Sequence, residues 1–145
     1  MASENETIAR RVREEIWNLK NFDLANRIVS AECAHHVHDP FTPDMGEGPS
    51  GLIRLAELYL SAFPDGQCTI EEVASSGDTG MVRWTGRGTH TGSLMGIPPT
   101  GKMVSVAGVD IYRIASRKIQ ETRVIWDTLG FLKQLGITQL APTSA

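Results

Sequence analysis

The chain contains 145 residues, 41% hydrophobic and 21% charged, a balance that predicts one globular domain with its own core. Its 14 basic residues are scattered and are outnumbered by 17 acidic ones, for a formal charge of −3, which argues against a nucleic-acid partner. The two cysteines lack the paired spacing of zinc or redox motifs. We therefore expect both to be buried and to pack as small apolar side chains.

The first half of the sequence predicts helices. The polar, acidic N-terminus is unlike a signal peptide, and no apolar stretch is long enough to span a bilayer, so we expect a cytoplasmic protein with no membrane partner. A first helix is predicted from apolar residues at helical spacing: Ile8, Val12, Ile16 and Leu19. Its opposite, solvent-facing side then holds Arg10, Arg11, Arg13 and Glu14.

Short elements and a loop are predicted between the first helix and a third helix. Asn21 is a candidate cap for a second helix that contains Leu24, Ile28 and Val29, and Pro40 should end the segment 33–39. Several glycines and prolines predict a loop over 41–51. The third helix follows this loop and stops at 64–66.

The second half predicts an antiparallel meander. The strands are expected at 67–74, 81–90, 103–114 and 118–126. A long loop, 91–101, separates the second from the third, and a last helix closes at Gly136. Helices followed by a meander indicate an α+β fold, and glycines in the strands indicate a curved sheet whose concave face must be filled. We therefore predict that residues 1–145 form one domain, with a core at about 7–136 and a disordered tail at 137–145.

Several stretches in this order resemble one protein family. They are 84–92 (WTGRGTHTG), 95–101 (MGIPPTG) and 108–114 (GVDIYRI), together with 38–40 (HDP) and 126–136 (WDTLGFLKQLG). The chain resembles the SnoaL-like polyketide cyclases of the nuclear transport factor 2-like superfamily. This resemblance implies a cone-shaped α+β fold in which a curved, mixed, mainly antiparallel sheet wraps around helices and supports a homodimer.

The same resemblance implies an activity. Such cyclases close a ring by intramolecular aldol condensation without a cofactor; an aspartate on the last strand removes a carbon-bound proton, and a histidine on the preceding strand assists. Val124 and Asp110 occupy these two positions here. The first hypothesis is therefore a cofactor-independent cyclase or isomerase of a hydrophobic, carbonyl-rich small molecule. The alternatives are a non-catalytic binding or accessory domain, or a related hydrolase, of whose Asp-Arg-Asp arrangement only Arg87 is matched.

Asp110 is the predicted general base. Alternation along its strand places it on the same face as Gly108 and Tyr112, inside the cone. A carboxyl group in apolar surroundings has a raised pKa, which suits acid–base work near neutral pH. The alternative is a structural ion pair with one of three arginines, Arg83, Arg87 or Arg123.

Two further residues are candidate catalysts. His38 is expected at the pocket mouth, where an imidazole can relay a proton. His36 shares its strand face, but no third ligand lies close in sequence, so we expect no metal. Asp127 follows the last strand, yet it also suits the N-cap of the last helix and is ranked below Asp110.

The remaining predictions concern the pocket walls and the outer face of the sheet. His90 is placed either in the pocket or at a solvent-exposed strand end. The residues expected to contact substrate are Trp84, His90, Tyr112, Val124 and Trp126. On the convex face we expect four apolar side chains, a patch large enough to favour a homodimer: Val82, Met103, Val109 and Ile111.

Overall fold

A computed structural model describes residues 3–137, which form an α+β fold with one five-stranded sheet. The helical elements are α1 (Glu4–Arg11), a π-helical segment (Val12–Trp17), a 3₁₀ turn (Phe22–Leu24), α2 (Ala25–Ile28), α3 (Gly48–Ala62) and α4 (Thr128–Gln134). The strands are β1 (Val29–Val37), β2 (Gln67–Ser76), β3 (Thr79–Thr89), β4 (Met103–Ala115) and β5 (Lys118–Trp126). The tail predicted for 137–145 lies outside the described residues except for its first position.

The sheet has the order β1-β5-β4-β3-β2, and it is mixed because β1 runs parallel to β5 while the other pairs are antiparallel. The predicted meander of the last strands is confirmed. Register shifts interrupt three of the four ladders described, and such bulges bend the strands, as a curved sheet requires. The helices α1 and α3 pack on this sheet, α1 against β2 and β3 and α3 against β1.

The second turn of the N-terminal helix departs from the prediction. Ile8, Val12 and Ile16 are buried as expected, but the segment from Val12 is π-helical, and the amide of Asn18 bonds the carbonyl of Arg13 five residues back, at 3.0 Å. The wider turn rotates the side chains that follow it relative to an α-helix. Arg13, predicted to face solvent, is only 4% exposed, and the prediction for it was wrong. Leu19, predicted to be buried, is 71% exposed because it lies beyond the helical segment.

Several element boundaries also differ from those predicted. Helix α3 begins at Gly48, inside the predicted loop, with Pro49 in its first turn, where a missing amide hydrogen costs nothing. Asn21 precedes the 3₁₀ turn without a side-chain capping bond, and Val29 starts β1 instead of ending a helix. Val82, predicted on the outer face, is fully buried because it pairs with the inward-facing Asp110.

His35 joins the start of α3 to the sheet. Its Nε2 bonds the carbonyl of Gly48 at 2.7 Å, and its Nδ1 bonds the hydroxyl of Thr122 on β5 at 2.8 Å. Since a carbonyl only accepts, Nε2 carries the proton. Burial lowers the pKa of His35 below its ordinary value of 6.5, and this outweighs the bond to Gly48, which acts in the opposite direction.

Stability is therefore expected to depend on the protonation of His35. The unfolded chain takes up this proton below pH 6.5 more readily than the folded chain, so folding should be fully favoured above that pH and weaken as pH falls through the lowered folded pKa. The drop in melting temperature between pH 7.5 and 5.5 should shrink in His35→Gln. His38→Gln, at an exposed position, is the matched control and should keep the wild-type drop. Equal drops in all three proteins would contradict this role.

Candidate active site

A cavity of about 110 Å³ lies between the helices and the concave side of the sheet. Gln67 and Arg87 are exposed and mark the side on which it meets the surface. The remaining lining residues are mostly apolar or aromatic: Arg13, Trp17, Asn18, Val37, Leu55, Tyr59, Leu60, Phe63, Gly66, Cys68, Trp84, Gly86, Gly88, Val104, Val106, Val124, Trp126 and Phe131. Such a cavity suits a small hydrophobic molecule.

Arg13 and Asp110 form a buried ion pair beside this cavity. The Nε and Nη2 atoms of Arg13 donate to Oδ2 and Oδ1 of Asp110 at 2.7 and 2.8 Å. Two further donors bond the same carboxylate, Trp84 Nε1 at 2.9 Å and the Tyr112 hydroxyl at 2.6 Å. Asp110 is fully buried and accepts four hydrogen bonds, so both of its oxygens are occupied.

The guanidinium group of Arg13 lies close to two indoles. Its Cζ lies 4.5 Å from the ring centre of Trp17 and 4.0 Å from that of Trp84, within the range of cation–π attraction. Burial opposes the charge, but the adjacent Asp110 outweighs this and raises the pKa of Arg13. Gly108 leaves room for this stack, since a Cβ at this position would overlap the indole of Trp84.

The predictions for Asp110 are corrected in two respects. Its ion-pair partner is Arg13 and not Arg83, Arg87 or Arg123. It also lies behind Arg13 and Trp84 and is not one of the residues that line the cavity. The expected alternation along β4 is confirmed, because Gly108, Asp110 and Tyr112 are all buried on one face. The partner was missed because α-helical periodicity places Arg13 in solvent.

A second polar chain starts at Tyr59, which lines the cavity. Asp39 accepts hydrogen bonds from the amides of Phe41 and Thr42 at 3.0 and 2.6 Å, and from Trp126 Nε1 at 3.0 Å. The Thr42 hydroxyl also donates to Asp39 at 2.7 Å, and lies 2.6 Å from the Tyr59 hydroxyl. Because the only hydroxyl proton of Thr42 is donated to Asp39, the Tyr59 hydroxyl donates to Thr42. Burial raises the pKa of Tyr59, so its phenol is neutral.

The two other predicted catalytic residues lie away from the cavity lining. His38 is exposed just beyond β1 and lines a second depression, together with Thr42 and Met45. Asp127 is exposed and caps α4 by accepting from the amide of Gly130 at 2.9 Å, as its alternative assignment predicted. The structure therefore does not bring Asp110, His38 and Asp127 together around one cavity.

The predicted wall residues divide into two groups. Trp84, Val124 and Trp126 line the cavity, whereas Tyr112 and His90 do not. His90 is fully buried, stacks on Phe63 at 5.2 Å, and accepts from the amide of Thr100 through Nδ1 at 3.2 Å. The solvent-exposed alternative for His90 is therefore wrong.

Sequence reasoning missed the polar roles of Arg13, Tyr59 and Asp39. The Arg13–Trp17 spacing of one helical turn was a usable signal, because it allows a guanidinium to stack on an indole. Asp39 stands immediately before Pro40, where aspartate commonly accepts bonds from the next amides, as it does here. Tyr59 carried no signal beyond its place on the apolar face of α3.

Across residues 3–137, no three His, Cys, Asp or Glu side chains are placed to hold a metal ion. Over the same residues, none of the helices has the length and hydropathy needed to cross a membrane.

The sequence and the fold were compared with known proteins. Residues 7–135 match the family model described as SnoaL-like polyketide cyclase. The aklanonic acid methyl ester cyclase DnrD of Streptomyces peucetius is 25% identical over 138 residues, covering 94% of this chain and 92% of that protein. The chain therefore belongs to the SnoaL-like polyketide cyclase family.

Solved structures agree with the fold. The SnoaL-like protein of Jannaschia sp. CCS1 superposes with a TM-score of 0.82 at 22% identity, covering 94% of each chain. TsrD of Streptomyces laurentii gives a TM-score of 0.81 at 22% identity, covering 93% of this chain and 96% of that one. The resemblance to the nuclear transport factor 2-like fold is confirmed, and family membership indicates a cyclase or isomerase kind of function with a small-molecule substrate.

Proposed function

We propose that this chain is a cofactor-independent cyclase or isomerase that acts by acid–base chemistry on a hydrophobic, carbonyl-bearing small molecule bound in the cavity. The observation that carries the proposal is the chain of hydrogen bonds from Tyr59 through Thr42 to Asp39. Tyr59 is one of the residues that line the cavity, whereas Asp39 lies outside the lining. Such a chain lets a cavity of apolar character exchange a proton with an ionisable group.

The chain can carry a proton in either direction without forming a phenolate. A proton taken up at the Tyr59 oxygen displaces the phenol proton to Thr42, and the Thr42 proton moves to Asp39. The raised pKa of Tyr59 disfavours a free phenolate and so favours this concerted transfer. Return of the proton by the same route makes Tyr59 an acid.

An intramolecular aldol closure needs these two proton movements and no oxidation. A base removes a proton from the carbon beside one carbonyl, and the resulting enolate carbon forms a bond with a second carbonyl carbon. The second oxygen then takes a proton. Because the electrons remain within the substrate, proton-transferring side chains are sufficient for this step.

The residues predicted from sequence to be catalytic are not the ones on which this proposal depends. Asp110 has both oxygens occupied by four donors, which supports a role in holding Arg13 over a role as the direct base. Catalysis by His38 or Asp127 stays a prediction; both lie outside the cavity lining. The hydrolase alternative keeps only Arg87, which lines the cavity and bonds Thr69 at 3.1 Å, since neither acid of the Asp-Arg-Asp arrangement is matched.

Deuterium uptake by 2-tetralone tests the acid–base proposal without the natural substrate. This bicyclic ketone is small and apolar and has exchangeable protons beside its carbonyl. In D₂O the protein should increase the exchange rate above that in buffer, as measured by mass spectrometry. A rate equal to that in buffer, with 2-tetralone bound, would contradict acid–base catalysis.

A binding or accessory domain is the second candidate function. It is favoured by one observation: among residues 3–137, the cavity lining contains no carboxylate or imidazole, and Val124 occupies the position of the family's usual acid. Binding of 2-tetralone with no increase in exchange would select this candidate.

We also propose a homodimer formed through the convex face of the sheet. Met81 lies opposite Ile111, and Val109 lies opposite Ile125, so these residues form one apolar patch across β3, β4 and β5. Met81 and Ile125 are 42% and 49% exposed, and a second copy of the chain would remove this apolar surface from water.

Light scattering should therefore give twice the chain mass at micromolar concentration. Ile125→Glu should shift the protein to a monomer because a dimer would bury the new charge. Glu57→Gln, at an exposed position on α3, is the control and should leave the mass unchanged. A monomeric wild-type protein would contradict the proposal.

A further inference from the structure

His90 joins the two ends of the 91–101 loop. Its amide donates to the carbonyl of Lys102 at 2.9 Å, and its own carbonyl accepts from the amide of Gly101 at 2.8 Å. Its Nδ1 accepts from the amide of Thr100 at 3.2 Å and lies 3.0 Å from the hydroxyl of the same residue. A compact loop whose ends meet in this way can open and close as one unit, and the structure shows it closed.

The closed loop packs behind one wall of the cavity. Its first two amides donate to the carbonyl of Ala62, the last residue of α3, at 3.1 and 3.0 Å. Leu94 is fully buried in an apolar cluster that also contains Phe63 and Phe131, and both of these aromatic residues line the cavity. Opening of the loop would therefore remove packing from this wall.

The bond from the Thr100 amide requires a neutral imidazole. An amide N–H only donates, so Nδ1 of His90 is unprotonated and Nε2 carries the ring proton. A protonated imidazole has an N–H at both nitrogens and loses the bond from this amide. The ring is also 0% exposed, where a charge without a partner is costly. The closed loop therefore disfavours protonation of His90.

The groups around the ring do not offset a positive charge. Phe63 stacks on the ring with centres 5.2 Å apart, and within residues 3–137 Nε2 has no hydrogen-bond partner. The charged side chains on the surrounding elements are all exposed: Arg87 on β3, Asp65 beyond α3, Lys102 at the end of the loop and Lys133 on α4. Solvent screens these charges, so the ring has to leave its site before it can take up a proton.

We propose that His90 is a proton-sensitive latch, which holds the 91–101 loop closed when the imidazole is neutral and releases it when the imidazole is protonated. Opening also gives water to the Nε2 donor, which is costly to bury without an acceptor. Because only the open loop takes up the proton, a fall in pH shifts the loop towards the open state. The latch does not depend on the proposed chemistry of the cavity.

Hydrogen–deuterium exchange of the loop amides measures the opening. An imidazole in water has a pKa of about 6.5, so the ratio of open to closed loop should rise about tenfold between pH 7.5 and 5.5. The protection of the amides of Thr91, Gly92 and Gly101, corrected for their intrinsic exchange rates, should fall by the same factor. Protection that is equal at the two pH values would overturn the proposal.

His90→Asn is the decisive variant. Asparagine keeps an oxygen acceptor near the position of Nδ1 but does not titrate, so loop protection should change by less than about twofold between the two pH values. His35→Gln is the matched control, because it removes an imidazole that joins the opposite end of α3 to the sheet. This control should keep the tenfold fall in the loop. A tenfold fall in His90→Asn, or its loss in His35→Gln, would overturn the proposal.

If His90→Asn fails to fold, nitrogen NMR of the imidazole in wild-type protein decides instead. The ring nitrogen shifts distinguish the neutral from the protonated imidazole, and the protonated form should appear only together with the loss of loop protection. A protonated His90 in a fully protected loop would overturn the proposal.

Discussion

Asp110→Ala is expected to lower the free energy of unfolding by about 3–5 kcal/mol, the usual cost of removing one partner of a buried ion pair. The change leaves Arg13 charged at 4% exposure and removes the acceptor of both of its strong hydrogen bonds. Trp84 and Tyr112 lose the same acceptor. The guanidinium cannot release its proton to escape this cost.

Urea denaturation measures this loss directly, provided that the slope with denaturant is unchanged. The matched variant is Arg13→Met/Asp110→Asn, which removes both charges and keeps side chains of similar length. It should unfold closer to wild type than Asp110→Ala does, because no buried charge is left unpaired. If Asp110→Ala lowers the free energy of unfolding by less than about 1 kcal/mol, the pair contributes as little to stability as exposed ion pairs usually do. That result would contradict the prediction.

Tyr59→Phe is expected to reduce the rate of 2-tetralone deuterium exchange by about 100- to 10,000-fold, the usual contribution of a positioned acid–base group. The ring that lies edge-on to Trp126, with centroids 5.7 Å apart, is retained, so the cavity wall should keep its shape. Loss of the hydrogen bond to Thr42 should cost only about 0.5–1.5 kcal/mol of stability. The measurement pairs exchange rates with melting curves.

Two further variants locate the proton route. Thr42→Val interrupts the chain between Tyr59 and Asp39 and should slow exchange similarly. Asp127→Asn should have a mild effect, because asparagine also caps helices well. If Asp127→Asn abolishes exchange while Tyr59→Phe is nearly silent, the acid that follows β5 is the base, and the proposed route is wrong.

The sheet was the part of the fold that sequence predicted best. β5 begins and ends where expected, at Lys118 and Trp126, because residues of alternating burial are bounded by a tight turn and a helix cap. The parallel pairing of β1 with β5 was not predicted from local pattern, since the two strands are far apart in sequence. The start of α3 was missed because Gly48 and Pro49 also favour loops.

The site was predicted less well, for physical reasons that are specific to each residue. Arg13 is buried in a π-helical segment, which α-helical periodicity does not describe, and its partner Asp110 is 97 residues away. Asp110 was correctly placed on the inner face, but strand alternation does not predict which donors occupy its oxygens. The route from Tyr59 to Asp39 depends on a loop that brings Thr42 between them, a tertiary contact without a local signal.

A crystal structure of the protein with bound 2-tetralone would test the central claim most directly. We expect the ketone in the cavity lined by Trp84, Val124 and Trp126, with the CH₂ group beside its carbonyl facing Tyr59. A ketone bound instead in the second depression beside His38, or bound in the cavity with its carbonyl end turned away from Tyr59, would contradict the proposal.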